Sequence, residues 1–214
     1  MPPSFKYENF YRKEGYRLIA GADEVGRGSL AGPVVAAAVI LDPKKKIKGL
    51  NDSKKLSAKQ REKLFKVIEQ KAVGIGVGVV DEKTIDRINI TQASLLAIRL
   101  AMESLSPSPN LLLIDGRDRL PLPFPQKPIV SGDSISASIA AASIIAKVLR
   151  DRVMEKLDVN YPEYGFAMHK GYGTARHLRE LKQKGPCLLH RRSYRPVTQP
   201  AQSKKRLDIA EPLF

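Results

Sequence analysis

The feature that most constrains the fold is an unbroken apolar run at residues 34–41, Val-Val-Ala-Ala-Ala-Val-Ile-Leu. Because no polar residue alternates with the apolar ones, the run predicts a β-strand buried on both faces, inside a sheet that other elements cover. Its small alanines would let a helix or a neighbouring strand approach closely. Strands and helices alternate along the rest of the chain, which predicts an α/β fold.

Hydrophobic periodicity and turn residues place the other elements. Residues 73–80 alternate glycine with branched residues and favour a strand over a nucleotide-binding loop, because the G-x-G-x-x-G spacing fails at Val79. Residues 1–15 are expected to form a loose N-terminal arm. The other predicted elements are strands at about 17–24, 111–114 and 126–130, the last at a sheet edge, and helices at about 57–70, 89–105, 134–158 and 175–184.

A pair of carboxylates stands at the end of the first predicted strand. Asp23 and Glu24 follow the apolar run 18–22, and Gly26-Arg27-Gly28 comes directly after them. Carboxylates are hard oxygen ligands that suit Mg²⁺ and Mn²⁺, a glycine turn lets backbone N–H groups approach a ligand, and arginine suits phosphate. The stretch therefore fits a site for divalent metal and a phosphodiester, and a charged exit from a strand explains it equally well.

Two further aspartates stand at element ends. Asp115 follows the apolar run 111–114 and precedes Gly116, whereas Asp133 comes just before the longest predicted helix. Asp-Gly is also a common hairpin turn, and an aspartate before a helix is a normal N-cap. No alternating strand follows Asp115, which argues against the hairpin, and the cap stays open for Asp133. Acids on three separate elements, with no histidine or cysteine nucleophile motif, indicate metal-assisted phosphodiester chemistry by a nuclease or phosphotransferase.

The charge balance implies an anionic partner. The 214 residues include 37 Lys and Arg against 22 Asp and Glu, which gives a net charge of +15 and a pI of about 9.9. Nucleic acid is the first candidate, and the basic segment 190–196 carries Tyr194 among its cations, where a ring can stack on a base or sugar. A membrane surface is the rival, which a basic helix with an exposed aromatic face would support, but tryptophan is absent.

Cysteine content and hydropathy bear on the compartment. The single cysteine, Cys187, excludes an intramolecular disulfide and suits a reducing environment. The first residues lack the apolar core of a signal peptide, and the longest apolar stretch, 30–41, is shorter than the roughly 20 residues that a membrane span needs. We therefore expect a cytoplasmic protein with no membrane association. His169, His177 and His190 with Cys187 follow no common zinc-ligand spacing.

Several spaced blocks in a fixed order make the chain similar to type 2 ribonuclease H, the ribonuclease HII family. The resemblance runs from about Tyr16 to Val197 and leaves the arm and the tail uncovered. Ser29 stands where a proline is frequent and Tyr194 where a phenylalanine is frequent, and neither departure touches the acids. The matching blocks are 23–28 with 30–35, 52–56, 114–116, 132–134 with 141–151, 170–174 with His177, and 185–186 with 190–194.

The resemblance implies a ribonuclease H-like α/β fold, a mixed β-sheet flanked by helices, with a helical C-terminal part. Residues 1–198 would form this catalytic domain and residues 199–214 a flexible basic tail. It also implies hydrolysis of the RNA strand of RNA–DNA hybrids and of single ribonucleotides embedded in duplex DNA, a function in DNA replication and repair. The cut would fall 5′ to the ribonucleotide and leave 3′-hydroxyl and 5′-phosphate ends.

The resemblance also assigns roles to the acids. Asp23, Glu24, Asp115 and Asp133 would hold two Mg²⁺ or Mn²⁺ ions, one activating the attacking water and the other stabilising the leaving 3′ oxygen. Neighbouring strand residues point to opposite faces. Asp23 and Glu24 can therefore share a site only if the strand has ended there, or if Glu24 uses its backbone carbonyl. Bunched carboxylates repel, so we expect this set to need metal or substrate to settle.

The remaining predicted contacts bind the nucleic acid. The backbone of Gly26-Arg27-Gly28 is expected to read the ribose 2′-hydroxyl, and Tyr172 to pack on the ribonucleotide sugar beside the DNA junction. An ordinary half-buried loop tyrosine is the alternative for Tyr172. We expect a monomer, and the terminal Leu213-Phe214 suggests docking of the tail on a replication sliding clamp. The candidate phosphate contacts are Ser53, Lys54, Thr174 and Ser193.

Overall fold

The computed structural model describes residues 2–198, and the predicted tail at 199–214 lies outside the described residues. One mixed sheet forms the centre of the fold. Its strands are β1 (Ile19–Val25), β2 (Val34–Leu41), β3 (Ala72–Val80), β4 (Leu111–Asp115) and β5 (Gln126–Ile129), in the order β3-β2-β1-β4-β5. β2 pairs antiparallel with β1 and β3, whereas β4 pairs parallel with β1 and β5. The mixed sheet and the edge position of β5 are confirmed.

Helices cover both faces of this sheet. They are α1 (Lys6–Lys13), α2 (Ala58–Lys71), α3 (Glu82–Glu103), α4 (Ala137–Asn160), α5 (Phe166–His169), α6 (Ala175–Lys184) and α7 (Arg195–Thr198). α2 begins after a capping box in which Ser57 and Gln60 bond each other's backbone N–H groups, so its start is fixed locally. α3 is interrupted at Asn89, whose φ of 66° separates a short first segment from the long helix that the periodicity predicted.

β2 lies inside the sheet and is buried along its whole length. Ala36 and Ala38 pack in a cluster with α3, and Ala37 and Val39 pack on the opposite face in a cluster with α2 and α4. Alanine side chains bring both helix layers close to the strand, because a larger residue would hold them away. The prediction of a strand buried on both faces is confirmed.

The glycines of β3 serve close packing and not nucleotide binding. A Cβ atom at Gly76 would lie 2.0 Å from the Ala101 carbonyl oxygen, and one at Gly78 would lie 2.1 Å from that of Ala97. Only glycine lets β3 approach α3 this closely. The prediction of a strand at this glycine-rich segment is confirmed.

The N-terminal segment is the clearest correction to the sequence prediction. Residues 6–13 form α1, not a loose arm, and Tyr7 and Tyr11 pack against the cluster that contains Ile19. Glu8 is fully buried and its Oε1 atom accepts hydrogen bonds from the Ser136 hydroxyl and the Ser138 backbone N–H, at 2.7 and 2.9 Å. A carboxylate here offsets the positive end of the α4 dipole. The contact is invisible locally, because its partners lie far along the chain.

α4 begins later than predicted, after a separate short turn. Ser136 is the N-cap of α4, and its hydroxyl accepts from the Ile139 N–H. Asp133 lies in a 3₁₀ turn at Gly132–Ser134 and therefore does not cap α4. Asp133 is thus left free for another role.

The C-terminal helical part packs against the loop that joins β1 and β2. Ala31, Met154, Tyr164 and Phe166 form a separate apolar cluster there. Within residues 2–198, every helix is too short or too polar to cross a membrane.

Candidate active site

A cleft of about 410 Å³ opens where β1 and β4 end side by side. These two strands are parallel and pair up to Ala22 and Ile114, so Asp23 and Asp115 stand next to each other just beyond the last pair. The ends of neighbouring parallel strands meet at one sheet edge, which explains why two distant sequence segments supply adjacent acids. Of the predicted site residues, those lining the cleft are Asp23, Glu24, Gly26, Arg27, Gly28, Ser53, Lys54, Asp115 and Tyr172.

Asp23 and Glu24 point to opposite faces of the sheet. Both lie within β1, which stays paired with β2 as far as Val25. Asp23 pairs with Ala37 on the α4 face, where Ser143 lies close enough to its carboxylate to oppose the rise of its pKa. Glu24 pairs with Ala36 on the α3 face. The strand has therefore not ended at the two acids, so their side chains leave it on opposite sides, yet both line the cleft and the Glu24 charge acts on Asp23.

Asp115 and Asp133 join Asp23 on the α4 face. Ile114 faces the α3 cluster, so the next residue, Asp115, points the other way. The Gly132 backbone N–H donates to Asp115 Oδ1 at 2.6 Å, which ties the end of β4 to the turn that carries Asp133. Three aspartates from separate elements thus lie on one face, with Glu24 on the other.

Burial and mutual repulsion make ionisation of these acids costly. Burial raises the pKa of Asp23 well above its ordinary value, and the charges of Glu24 and Asp115 raise it further. Burial also raises the pKa of Glu24, although the ion pair with Arg27, at 3.0 Å, opposes the shift. The pKa of Asp133 is raised by burial and then by the charge of Asp115. The site therefore stores electrostatic repulsion that a cation would relieve.

Lys54 supplies part of the missing positive charge. Burial alone would lower the pKa of Lys54, but Asp23 and Asp133 outweigh this effect and raise it. Its backbone N–H donates to Asp52 Oδ1 at 2.9 Å, and the charge of Asp52 helps to raise the pKa of Asp133. Asp52 is thus a further buried acid beside the cluster, which the sequence argument did not single out.

The acids are not already arranged around a metal. Among residues 2–198, no three His, Cys, Asp or Glu side chains are placed so that they could hold one ion as they stand. The donor set nevertheless suits Mg²⁺ or Mn²⁺, because carboxylate oxygens are the ligands these ions prefer and the carboxylates repel one another. Side-chain rotation is what would bring them together.

The Gly26-Arg27-Gly28 loop is held from behind by two fully buried arginines. Arg191 Nη1 and the Tyr194 hydroxyl donate to the Arg27 carbonyl oxygen at 2.9 and 2.6 Å. Arg150 lies against Gly26, whose φ of +103° and lack of a side chain accommodate the guanidinium. Within residues 2–198 neither arginine has a carboxylate partner, because backbone carbonyls accept their N–H groups. The hydroxyl that distinguishes Tyr194 from phenylalanine therefore supports this loop.

Gly28 differs from Gly26. Its φ lies outside the left-handed region, and a Cβ atom there would meet nothing within 4 Å. Among the described residues no contact demands glycine at this exposed position, so the space it leaves is available to a ligand.

Tyr172 lies beside this loop, in the lining of the cleft. Its backbone forms an antiparallel bridge with Ser29, and its ring lies 5.4 Å from the Arg150 guanidinium and 5.8 Å from Lys147 Nζ. The ring is thus placed beside the loop and the acids, which a free loop tyrosine would not be.

The candidate phosphate contacts divide into two groups. Ser53 and Lys54 line the cleft, and Ser53 Oγ lies 2.7 Å from Ser143 Oγ. Thr174 and Ser193 are exposed and lie outside the cleft lining: Thr174 caps α6 by accepting from the His177 N–H, and the Ser193 hydroxyl donates to Asp86 at 2.6 Å. Both keep a structural partner, and their contact with substrate stays a prediction.

A mixed sheet of this strand order, with aspartates on the adjacent strands β1 and β4 and in the turn before α4, defines a nuclease of the ribonuclease H class. Solved structures agree with this assignment. Ribonuclease H2 from Pyrococcus horikoshii OT3 is 30% identical with a TM-score of 0.72, covering 86% of this chain and 96% of that one. The structure of the PCNA:RNase HII complex from Archaeoglobus fulgidus is 27% identical in sequence with a TM-score of 0.71. The match covers 89% of this chain and 99% of that one.

Sequence comparison narrows the class to one family. The family model for ribonuclease HII matches residues 20–197. The chain is 56% identical to Ribonuclease HII of Acetivibrio thermocellus over 88% of this chain and 73% of that protein. It is 53% identical to Ribonuclease HII of Syntrophotalea carbinolica over 89% of this chain and 91% of that protein. The chain belongs to the ribonuclease HII family, and is a ribonuclease H that cleaves the RNA of RNA–DNA hybrids.

Proposed function

We propose that the chain cuts on the 5′ side of a ribonucleotide, both in RNA–DNA hybrids and at single ribonucleotides embedded in duplex DNA, leaving 3′-hydroxyl and 5′-phosphate ends. One observation carries the proposal: Asp23 and Asp115 line one cleft together with the glycine loop, and Asp133 lies close enough for its charge to act on Asp23. The acids suit phosphodiester hydrolysis, and the loop suits recognition of a sugar at close range. Such an activity would serve ribonucleotide removal in DNA replication and repair.

Asp23, Asp115 and Asp133 would hold divalent metal through their carboxylates. Glu24 would join them through its backbone carbonyl, or through its side chain after that has left Arg27. Two Mg²⁺ or Mn²⁺ ions bound there would supply an activated water and stabilise the leaving 3′ oxygen. Ser143 and the Gly132 N–H orient Asp23 and Asp115, and Lys54 offsets part of the negative charge before substrate arrives.

The loop at Gly26-Arg27-Gly28 would read the ribose 2′-hydroxyl through backbone groups, with Tyr172 packing on the sugar. The open space at Gly28 supports close approach of a nucleotide, and the anchoring of the Arg27 carbonyl by Arg191 and Tyr194 supports a rigid reader. Ser53 and Lys54 would bind phosphate next to the acids, with Thr174 and Ser193 binding it further along the duplex.

Matched duplexes test this proposal. We expect a DNA duplex with one embedded ribonucleotide to be cut at its 5′ side, and the same duplex without it to be cut about 10⁴-fold more slowly or not at all, because a site built to bind a hydroxyl rejects the analogue that lacks it. Gel analysis of end-labelled strands, with Mg²⁺ and Mn²⁺ in turn, measures position and rate. Equal cutting of the two duplexes would reject the proposal.

The same assay on Gly28→Ala isolates the loop. Since no atom of residues 2–198 lies within 4 Å of the added methyl, we expect unchanged thermal unfolding. We expect cleavage of the ribonucleotide duplex to slow by about tenfold or more. Wild-type cleavage by a folded Gly28→Ala would remove this position from the sugar site.

We also propose that residues 1–198 form the catalytic domain and that 199–214 form a separate basic segment whose terminal Leu213-Phe214 docks on a sliding clamp. A structural relative from Archaeoglobus fulgidus was solved as a complex with PCNA, which supports the proposal. We expect deletion of 199–214 to abolish clamp binding in surface plasmon resonance while hybrid cleavage stays within about twofold, since two apolar anchors supply most of such contacts. Clamp binding that is unchanged by the deletion would contradict the proposal that residues 199–214 dock on a sliding clamp.

A further inference from the structure

A chain of hydrogen bonds joins two buried histidines to the backbone of Tyr172. His190 and His177 face each other through their Nε2 atoms, 3.0 Å apart. At one end the Cys187 backbone N–H donates to His190 Nδ1 at 3.1 Å. At the other end His177 Nδ1 lies 3.0 Å from the Tyr172 carbonyl oxygen.

The two ends fix the direction of every bond in this chain. A carbonyl oxygen can only accept, so His177 Nδ1 carries a hydrogen and donates to Tyr172. A backbone N–H can only donate, so His190 Nδ1 is bare and accepts from Cys187. With both rings neutral, His190 must then donate from Nε2 to the bare Nε2 of His177. One tautomer of each ring satisfies all three bonds.

The surroundings keep both rings neutral. His177 is 0% exposed and His190 1% exposed, and no acid forms an ion pair with either one within residues 2–198. Burial lowers the pKa of His177 to about 4 and that of His190 to about 3. Phe166 packs edge-on against His177, and the His169 ring stacks on it at 4.3 Å. The arrangement therefore holds over the whole neutral range of pH.

Tyr172 is the functional end of this chain. Its ring lines the cleft, and its backbone also bridges Ser29, directly after the Gly26-Arg27-Gly28 loop. Two local bonds also hold its backbone: the Thr174 N–H donates to the same Tyr172 carbonyl oxygen at 2.8 Å, and the Tyr172 N–H donates to the His169 carbonyl oxygen at 2.9 Å. His177 ties this turn to the buried histidine pair behind it. We propose that His177 is a positioning residue that fixes the Tyr172 ring for ribonucleotide recognition, with His190 locking the His177 tautomer. This inference rests on the proposed contact of Tyr172 with the sugar.

Two substitutions at His177 separate positioning from simple stability. An asparagine amide nitrogen takes the place of Nδ1, so His177→Asn keeps the donor to Tyr172 and loses the bond to His190. A glutamine amide takes the place of Nε2, so His177→Gln keeps an acceptor for His190 and loses the donor to Tyr172. Each variant gives up one buried hydrogen bond, so both lose thermal stability to a similar extent.

Cleavage separates the two variants. We expect His177→Gln to lose about tenfold in kcat/KM on a duplex with a single embedded ribonucleotide, the effect of one neutral hydrogen bond, and His177→Asn to stay within about twofold of wild type. On a continuous RNA–DNA hybrid the loss for His177→Gln is expected to be smaller. Equal losses in both variants, following their thermal stability, would overturn the proposal.

Tyr172→Ala and a second histidine variant complete the test. In the Tyr172→Ala background His177→Gln is expected to add no further loss, because the two act through one ring. If Tyr172→Ala alone leaves cleavage unchanged, the sugar contact in the proposed function is wrong; if it reduces cleavage but the two His177 variants behave alike, only the positioning role is wrong. His190→Asn keeps the bond from Cys187 but no longer fixes the tautomer of His177. We expect it to lose kcat/KM on the single-ribonucleotide duplex as His177→Gln does, but to a smaller extent. If His190→Asn shows the substrate selectivity of wild type, His190 has no role in positioning Tyr172.

Discussion

Asp115→Asn is expected to lower the rate at which an RNA–DNA hybrid is cleaved by about 10³-fold or more, while hybrid binding is retained. Asparagine keeps the shape of the side chain and can still accept from the Gly132 N–H, so the end of β4 and the turn before α4 stay joined. What is lost is a negative charge next to Asp23, and a carboxylate that holds a divalent cation supplies several kcal/mol of transition-state stabilisation. Single-turnover cleavage and equilibrium binding to the same labelled hybrid measure the two quantities.

Asp118→Asn is the matched control for this variant. Asp118 lines the same cleft three positions further along, is exposed, and has no part in the cluster of acids. It removes the same unit of charge from the same opening, so nonspecific electrostatics predict equal effects. We expect cleavage by Asp118→Asn within about twofold of wild type. Unchanged cleavage by Asp115→Asn would exclude this residue from the site.

The sequence predicted those parts of the site that depend on strand ends. Asp23 and Asp115 each follow an apolar run directly, and parallel strands bring such ends together. The burial pattern of β2 and the close packing of β3 are equally local, because composition alone decides which strand can be covered on both faces. The class of chemistry and the mixed sheet could therefore be inferred from the residues, and the resemblance added the family.

The sequence could not show which face Glu24 occupies. That depends on β1 staying paired with β2 through Val25, a contact between segments whose register local patterns do not fix. Arg150 and Arg191 were missed for the same reason. Arginine is almost never fully buried unless partnered, and here most of the partners are carbonyls of residues 27 to 33, more than a hundred positions away, while the Lys170 carbonyl also accepts from Arg150. Glu8 has its partners in α4, at the far side of the chain.

The second large effect concerns stability without metal: Asp23→Asn, inactive in cleavage, is expected to unfold at a higher temperature than wild type in EDTA at neutral pH. Asp23 is buried against Glu24 and Asp115, and its raised pKa means that the folded protein holds its charge only at a cost. Because that cost falls on the folded state alone, removing the charge is expected to raise the free energy of unfolding. Asp118→Asn, which is exposed, is expected to change the free energy of unfolding by less than about 0.5 kcal/mol.

The pH dependence of this difference identifies its cause. A carboxyl whose pKa is raised by folding binds more protons in the folded state than in the unfolded state between the two pKa values, so the free energy of unfolding falls as pH rises through that window. The difference in free energy of unfolding between Asp23→Asn and wild type is therefore expected to vanish below about pH 3.8, where the Asp23 carboxyl is neutral in both the folded and the unfolded state. It is expected to be largest at neutral pH. Adding Mg²⁺ or Mn²⁺ should stabilise wild type more than the variant, since a ligand of the folded state raises its stability. If wild type is instead more stable than Asp23→Asn in EDTA at neutral pH, the fold does not hold these carboxylates together against a repulsion that a bound cation would relieve.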